Sequence, residues 1–297
     1  MVACRSSAAR PTAPGAACGY GARMVHRAYT ECRYGQLHVL RAGQGAARPP
    51  LLLFHQNPST SEEYRHLIAA MATDRIVCAL DTPGYGMSDR PPAPLSITGY
   101  AEALVEGIDA LGLAGGLAGS GPVDVFGFHT GTFLAIEVAR LLGARCGRIA
   151  LAGIPLRPDD ERRLRLDQIH AVAPPTDDGE AIFARLRWLW DFLVTQRTPG
   201  VPIARAAEMF MERAKPLHRY WWAYEGVWTY PIEQRLAEIA QPVLVLVPDE
   251  MFAVQSRAAA AQMPDATVCE LPALHREIFE PEGGCAIVAA ALRAFLT

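Results

Sequence analysis

The sequence predicts a mostly parallel α/β sheet flanked by helices, with a helical insertion late in the chain. Three observations carry that expectation. Short apolar runs stop abruptly at polar turn residues, helix-like stretches separate those runs, and a Gly127-Phe128-His129-Thr130-Gly131 pentapeptide joins one run to the next helix.

The runs follow in order. Residues 51–54 are wholly apolar and end at His55-Gln56-Asn57-Pro58, as a strand buried on both faces should. A helical stretch at 61–71 follows, then a second run at 76–80, which stops at the turn-rich segment 81–89. Residues 123–126 form the strand before the pentapeptide and 132–142 the helix after it. Further strands are expected at 148–152, 242–248 and 266–271. The glycine-rich stretch 112–121 lies between a helix and a strand and reads as a connection, not as a phosphate loop.

The pentapeptide has the spacing of a sharp strand-to-helix elbow. Such a turn strains its central residue and needs small residues two before and two after it, which Gly127 and Gly131 supply. Histidine is among the residue types that tolerate positive φ, so His129 suits the backbone whatever its chemistry.

With these pieces in place the chain resembles the α/β-hydrolase superfamily over roughly residues 25 to 297. The loop at His55, the Asp81-x-x-Gly84-x-Gly86-x-Ser88 segment and the elbow occur in that superfamily's order. The resemblance implies an α/β-hydrolase fold with a helical cap. It also implies a triad in the order elbow residue, acid, histidine, which points to His275 after the last strand and to an acid after the strand at 242–248. Asp249 is preferred as that acid, with Glu250 beside it. The elbow itself departs from the pattern, because an imidazole stands where a serine hydrolase carries its hydroxyl.

The resemblance further implies an oxyanion site. Thr130 would offer its backbone N–H, and the loop at Gln56 and Asn57 a second donor. His55-Gln56-Asn57-Pro58 is similar to the His-Gly-Asn-Pro of haloalkane dehalogenases, in which the asparagine helps to bind the leaving halide. Those enzymes carry an aspartate at the elbow, so that reaction lacks its nucleophile here. Asn57 is read as polarising a carbonyl or an anion, His55 as bracing its loop, and Asp81 as tying down its own turn.

Three roles are open to His129. It can attack a carbonyl and form an acyl-imidazole, act as a general base, or be inert. The base is preferred, since an imidazole's ordinary pKa of about 6.5 suits proton transfer at neutral pH. Two imidazoles, His129 and His275, are expected to face one pocket as an acid and base pair.

Composition sets the bounds. A chain of 297 residues, 51% hydrophobic, can bury a large core, and its formal charge of −3 offers no broad basic field for nucleic acid. No apolar stretch has the length of about 20 residues that a membrane helix needs. The seven cysteines form no Cys-x-x-Cys pair, and Cys78 and Cys269 sit in apolar strands, which fits a reducing cytoplasm. Residues 1–23 are rich in Ala, Gly, Pro and Arg and are expected to be a disordered tail. The core then comprises 24–155 and 241–297, with 156–240 as the cap.

The cap holds all five tryptophans: Trp188, Trp190, Trp221, Trp222 and Trp228. Trp221, Tyr224 and Trp228 share a helical face by spacing, and the stripe serves equally well as packing onto the core or as the wall of an apolar pocket. Trp188, Trp221 and Trp222 are singled out as pocket residues. The remaining histidines occur singly and are read as structural. No metal and no nucleotide cofactor is expected, and nothing in the sequence bears on oligomeric state. The expected activity is cofactor-free hydrolysis of a small apolar or aromatic ester, lactone or ketone-type molecule. The alternatives are lyase or isomerase chemistry by histidine acid-base transfer, and a non-catalytic receptor for a small ligand.

Overall fold

The computed structural model describes residues 24–44, 48–115, 121–172, 176–281 and 283–297. The expected tail at 1–23 and the middle of the 112–121 connection lie outside the described residues. Among the described residues eight strands form one sheet in the order β1-β2-β4-β3-β5-β6-β7-β8. They are β1 (His26–Cys32), β2 (Gly35–Ala42), β3 (Leu51–Phe54), β4 (Val77–Leu80), β5 (Val123–Phe128), β6 (Cys146–Ala152), β7 (Val243–Pro248) and β8 (Ala266–Leu271). The hairpin β1–β2 joins β4 antiparallel, and every other pairing is parallel.

Side-chain alternation along each central strand sorts residues between two apolar layers. Leu52, Phe54, Cys78, Leu80, Val123, Val125, Ile149, Leu151, Val243 and Val245 pack on one face, against helices α2 (Ile97–Ala110) and α3 (Thr130–Leu142). Leu51, Leu53, Val77, Ala79, Phe126, Phe128, Ala150, Ala152, Leu244 and Leu246 pack on the other, against α1 (Arg65–Met71) and α10 (Gly284–Phe295). Burial on both faces explains why these strands are continuous apolar runs.

The hairpin β1–β2 has no counterpart in the strand expectations. Much of β1 is exposed, so its residues alternate weakly and carry polar side chains. The expected helix at 61–71 opens as a 3-10 turn, Ser61–Tyr64, before α1. There the Ser61 N–H donates to the Asp81 carboxylate and Thr60 caps the Glu62 N–H.

Between β6 and β7 run α4 (Asp159–His170), α5 (Glu180–Trp190), α6 (Ile203–Ala214), α7 (Trp222–Thr229) and α8 (Ile232–Ala237). Part of this segment has its own apolar cluster of Leu189, Leu193, Val194, Val201, Ala206 and Met209. Its last part, with Val227, Tyr230, Ile232 and Leu236, belongs to the first sheet layer. Helix α9 (Ala253–Ala260) follows β7. Among the described residues no helix is long and apolar enough to cross a membrane.

The β5–α3 turn closes only without side chains at its flanks. A Cβ on Gly131 would lie 1.9 Å from the Phe54 carbonyl oxygen, and one on Gly127 would lie 2.2 Å from the Gly131 oxygen. Gly131→Ala is therefore expected to cost about 3 kcal/mol or more, at the upper end of overpacking penalties. Gly121→Ala, which meets no atom within 4 Å, should stay within about 0.5 kcal/mol of wild type. Urea midpoints of the two variants check the contrast.

Candidate active site

His129 stands at the tip of the elbow with φ +48° and ψ −117°, the one non-glycine residue at positive φ among the described residues. Such a conformation costs about 1–3 kcal/mol and persists only where its surroundings fix it. Here they do. The His129 N–H donates to the Ala152 carbonyl at 2.9 Å, and the His129 carbonyl accepts from the Thr132 N–H at 2.9 Å and the Thr132 hydroxyl at 2.6 Å.

The ring is held on every side. Phe128 stacks on it at 4.0 Å between centroids, and Phe252 meets it edge-on at 5.1 Å. Gly153 supplies the space below, since a Cβ there would lie 2.3 Å from the imidazole Cδ2. Nε2 lies 3.2 Å from Glu250 Oε2, and Nδ1 lies 3.2 Å from Gln56 Oε1. Glu250 is 1% exposed, and its Oε1 accepts the Phe252 N–H at 3.1 Å. That bond folds the turn after β7 so that the carboxylate points at the elbow.

Gln56 decides which tautomer fits. Its amide nitrogen donates to Glu63 Oε2 at 3.1 Å, which leaves its oxygen to accept from His129 Nδ1–H. With Nδ1 turned to Gln56, Nε2 is the ring nitrogen that faces the Glu250 carboxyl group. Glu63 lies behind Gln56 and also accepts the Gln56 backbone N–H at 3.0 Å and the Ser59 hydroxyl at 2.9 Å. Burial pushes the Glu63 carboxyl up to about 7, against the opposing pull of Arg213 and the Gln56 donors.

Of the expected oxyanion donors, the Gln56 N–H is committed to Glu63, whereas Thr130 has a backbone N–H with no carbonyl in its own helix to receive it. His55 donates from Nδ1 to the Gln56 carbonyl at 2.7 Å and accepts the Thr82 N–H on Nε2 at 2.9 Å. It is a buried, neutral brace between two loops, its pKa lowered by burial. Asp81 accepts from Ser61, Met87 and His38; burial opposes its ionisation, but these donors hold its pKa down.

His275 and Asp249 lie elsewhere. Their side chains are 51% and 73% exposed, 3.8 Å apart, and the His275 ring also approaches the Asp249 carbonyl oxygen at 3.2 Å. No hydrogen bond, ion pair or ring contact joins His275 to His129 among the described residues, so the two expected imidazoles do not meet. The elbow histidine contacts Glu250 directly.

Above His129 opens a cavity of about 680 Å³. Its floor is Gln56, Asn57, Pro58, His129 and Thr130, and its walls include Trp188, Phe192, Tyr224, Trp228 and Phe252. Tyr224 and Trp228 stack 6.4 Å apart at 10°, and the Tyr224 hydroxyl donates to the Asn57 carbonyl. Of the three tryptophans singled out in the sequence, Trp188 lines the cavity; Trp221 and Trp222 pack edge-to-face on each other outside it. Among the described residues no cluster of three or more His, Cys, Asp or Glu is placed to hold a metal ion.

A family model described as alpha/beta hydrolase fold matches residues 49–246, more than half of the chain. The chain belongs to the α/β-hydrolase fold family. Over 81 residues it is 41% identical to haloalkane dehalogenase 2 of Mycobacterium bovis (strain ATCC BAA-935 / AF2122/97), a match spanning 27% of this chain and 27% of that protein. A hydrolase from Pseudomonas aeruginosa PA01 shares the fold at 21% identity and a TM-score of 0.70, over 91% of this chain and 98% of that one. The enol-lactonase of Burkholderia xenovorans LB400 does so at 19% and 0.70, over 90% and 100%. At these identities the structural likeness is one of fold.

Within this α/β-hydrolase frame, sequence reading missed Glu63, Arg213, Phe252 and the cavity's other arginines. For Glu63 a signal was present. It sits among Ser59, Thr60 and Ser61, a helix-start cluster that directs a carboxylate toward free N–H groups.

Two expectations follow. His129→Gly should be more stable than His129→Ala by about 1 kcal/mol, because glycine accepts the positive φ that alanine resists; thermal unfolding of the pair checks this. The folded protein holds the Glu63 proton up to about 7, whereas an ordinary glutamate releases it near 4.5. Its contribution is therefore fully present below 4.5 and is lost as pH rises toward 7, by about 3 kcal/mol at 1.36 kcal/mol per unit. Urea unfolding from pH 4.5 to 8 should show that slope in wild type and not in Glu63→Gln. An identical slope in both would place the proton elsewhere.

Proposed function

We propose that this chain is a cofactor-free enzyme that hydrolyses a small, largely apolar or aromatic ester, lactone or ketone-type molecule, with His129 moving protons instead of attacking carbon. The observation that carries this reading is the engagement of the ring's Nε2 by the buried Glu250 carboxylate, which leaves Nδ1, held only by the movable Gln56 amide, as the nitrogen that exchanges protons. Either role needs the Nδ1 lone pair freed from Gln56, and a nucleophilic imidazole needs it turned toward the carbonyl carbon as well. A proton carrier needs a partner that fixes its tautomer and balances its charge, and buried Glu250 is placed to do both.

In this scheme the Glu250 carboxylate holds Nε2–H while Nδ1 exchanges its proton with the cavity. Gln56, which lines the cavity, turns its amide aside for that exchange. A water molecule gives its proton to Nδ1 as its oxygen bonds to the carbonyl carbon, and the Thr130 N–H receives the oxygen that gains charge. The imidazolium then returns the proton to the leaving atom as its bond to the carbonyl carbon breaks. His275 and Asp249 stand outside this route. A reducing cytoplasm suits the free thiols of Cys32, Cys78, Cys146, Cys269 and Cys285.

One observation favours a second reading. The Gln56 N–H is already spent on Glu63, so it is not free to receive a tetrahedral oxyanion. Lyase or isomerase chemistry by the His129–Glu250 pair would leave solvent hydrogen on a substrate carbon, which hydrolysis of an ester or lactone does not.

A panel of short and aromatic esters and lactones tests the scheme. His129→Ala and Glu250→Gln should each lose about 100-fold or more of wild-type turnover, while His275→Ala keeps most of it. Undiminished turnover in His129→Ala would sink the reading, and a dead His275→Ala would return that residue to the centre. Deuterium found at a product carbon in D2O, in a reaction that consumes no water, would favour the second reading.

A further inference from the structure

The cavity above His129 is cationic, although the whole chain carries a formal charge of −3. Arg157, Arg165, Arg185, Arg213 and Arg276 line it against a single acid, Glu277. Four of the five arginines have a partner of their own, although the Arg157 Nε is also buried without one. Arg157 pairs with Glu161, Arg276 with Glu277, Arg165 lies over the Trp228 ring at 5.8 Å, and Arg185 covers Tyr220 at 3.8 Å and Trp188 at 4.3 Å.

Arg213 is the exception. It sits in the last turn of α6, 8% exposed, and makes no hydrogen bond, ion pair or ring contact among the described residues. Its Nε is buried without a partner. Asn57, on the cavity floor and 4% exposed, likewise has both amide atoms buried and unpartnered. A guanidinium buried at Nε with no hydrogen-bond partner is costly, and so is a buried amide. Two such groups lining one cavity form a site whose ligand supplies the missing bonds.

We infer that the molecule bound in this cavity carries a carboxylate, received by the Arg213 guanidinium with the Asn57 amide nitrogen beside it. A planar forked cation matches a flat anion with two acceptor oxygens. A phosphate would set two charges against one unpartnered cation, with Glu63 close enough to feel that cation. The aromatic walls take the remainder of the molecule, an apolar or aryl group. This assignment rests on the cavity being the substrate site of the proposed enzyme, and it narrows the substrate to an apolar or aryl carboxylic acid derivative with a second, reactive carbonyl.

Calorimetric binding separates this inference from the catalytic one. The probes are 3-phenylpropionate, its neutral amide 3-phenylpropionamide, and phenyl phosphate. Wild type should bind the carboxylate at least tenfold more tightly than the amide, and Arg213→Met should bring that ratio near one with the amide affinity unchanged. Arg213→Lys, which keeps the charge and loses the fork, should fall between, and it serves if the methionine variant does not fold. His129→Ala should keep the full preference, so a failure of turnover leaves this result standing. Equal binding of carboxylate and amide by wild type, a preference that survives in Arg213→Met, or tighter binding of phenyl phosphate would each overturn the assignment.

Discussion

The elbow at residues 127–131 depends on backbone packed where no side chain fits. Gly131 lies against the Phe54 and His55 carbonyls, and Gly127 against Gly131 itself. That contact sets α3 beneath the loop after β3, and through it the positions of His129 and Gln56. His55 then ties the β3 loop to the β4 loop with one bond from each ring nitrogen. Two glycines and one neutral imidazole thus position side chains drawn from three strand ends, at the edge where open α/β sheets bind ligands.

The polar centre built on this frame is a row: Glu250, His129, Gln56, Glu63. A carboxyl group stands at each end, and a neutral amide separates the imidazole from one of them. An amide has distinct donor and acceptor ends, so its orientation fixes which proton the neighbouring imidazole carries. While Glu63 accepts from the Gln56 nitrogen, the Gln56 oxygen must accept from His129. Protonation of Glu63 weakens that constraint, and the Ser59 hydroxyl can turn to accept the new proton.

The elbow and the central strands were legible in the sequence because their causes are local: doubly buried strands are apolar throughout, and a tight turn needs glycine. The hairpin β1–β2 was not, since a partly exposed edge leaves no clean period. The choice between Asp249 and Glu250 was beyond sequence for another reason. Both follow β7, and a turn stabilised by the Phe252 N–H sends one inward and the other to solvent. Adjacent residues with the same functional group are separated only by backbone direction. Arg213 was hidden because its burial comes from α6 lying over the cavity, which no pattern within α6 records. The aromatic stripe was half legible: spacing placed Tyr224 and Trp228 on one face, while Trp221 lies before the first turn of α7 and turns away to Trp222.

Charge links the two halves of the site. Arg213 is the largest influence lowering the Glu63 pKa against the effect of burial. An anion seated on Arg213 would cancel part of that pull, so Glu63 would hold its proton more tightly in the occupied cavity. By linkage, protonation of Glu63 would favour the anion to the same degree. In the proposed scheme Gln56, bonded to both Glu63 and His129, would carry the state of the inferred anion site to His129 through a single side chain. A site with an ordinary serine nucleophile has less use for such a connection, because its hydroxyl acts from one protonation state. If His129 acts as the proposed proton carrier it must be in the right form at the right moment, and the row from Arg213 through Glu63 and Gln56 would give the occupant of the cavity a physical means of setting it.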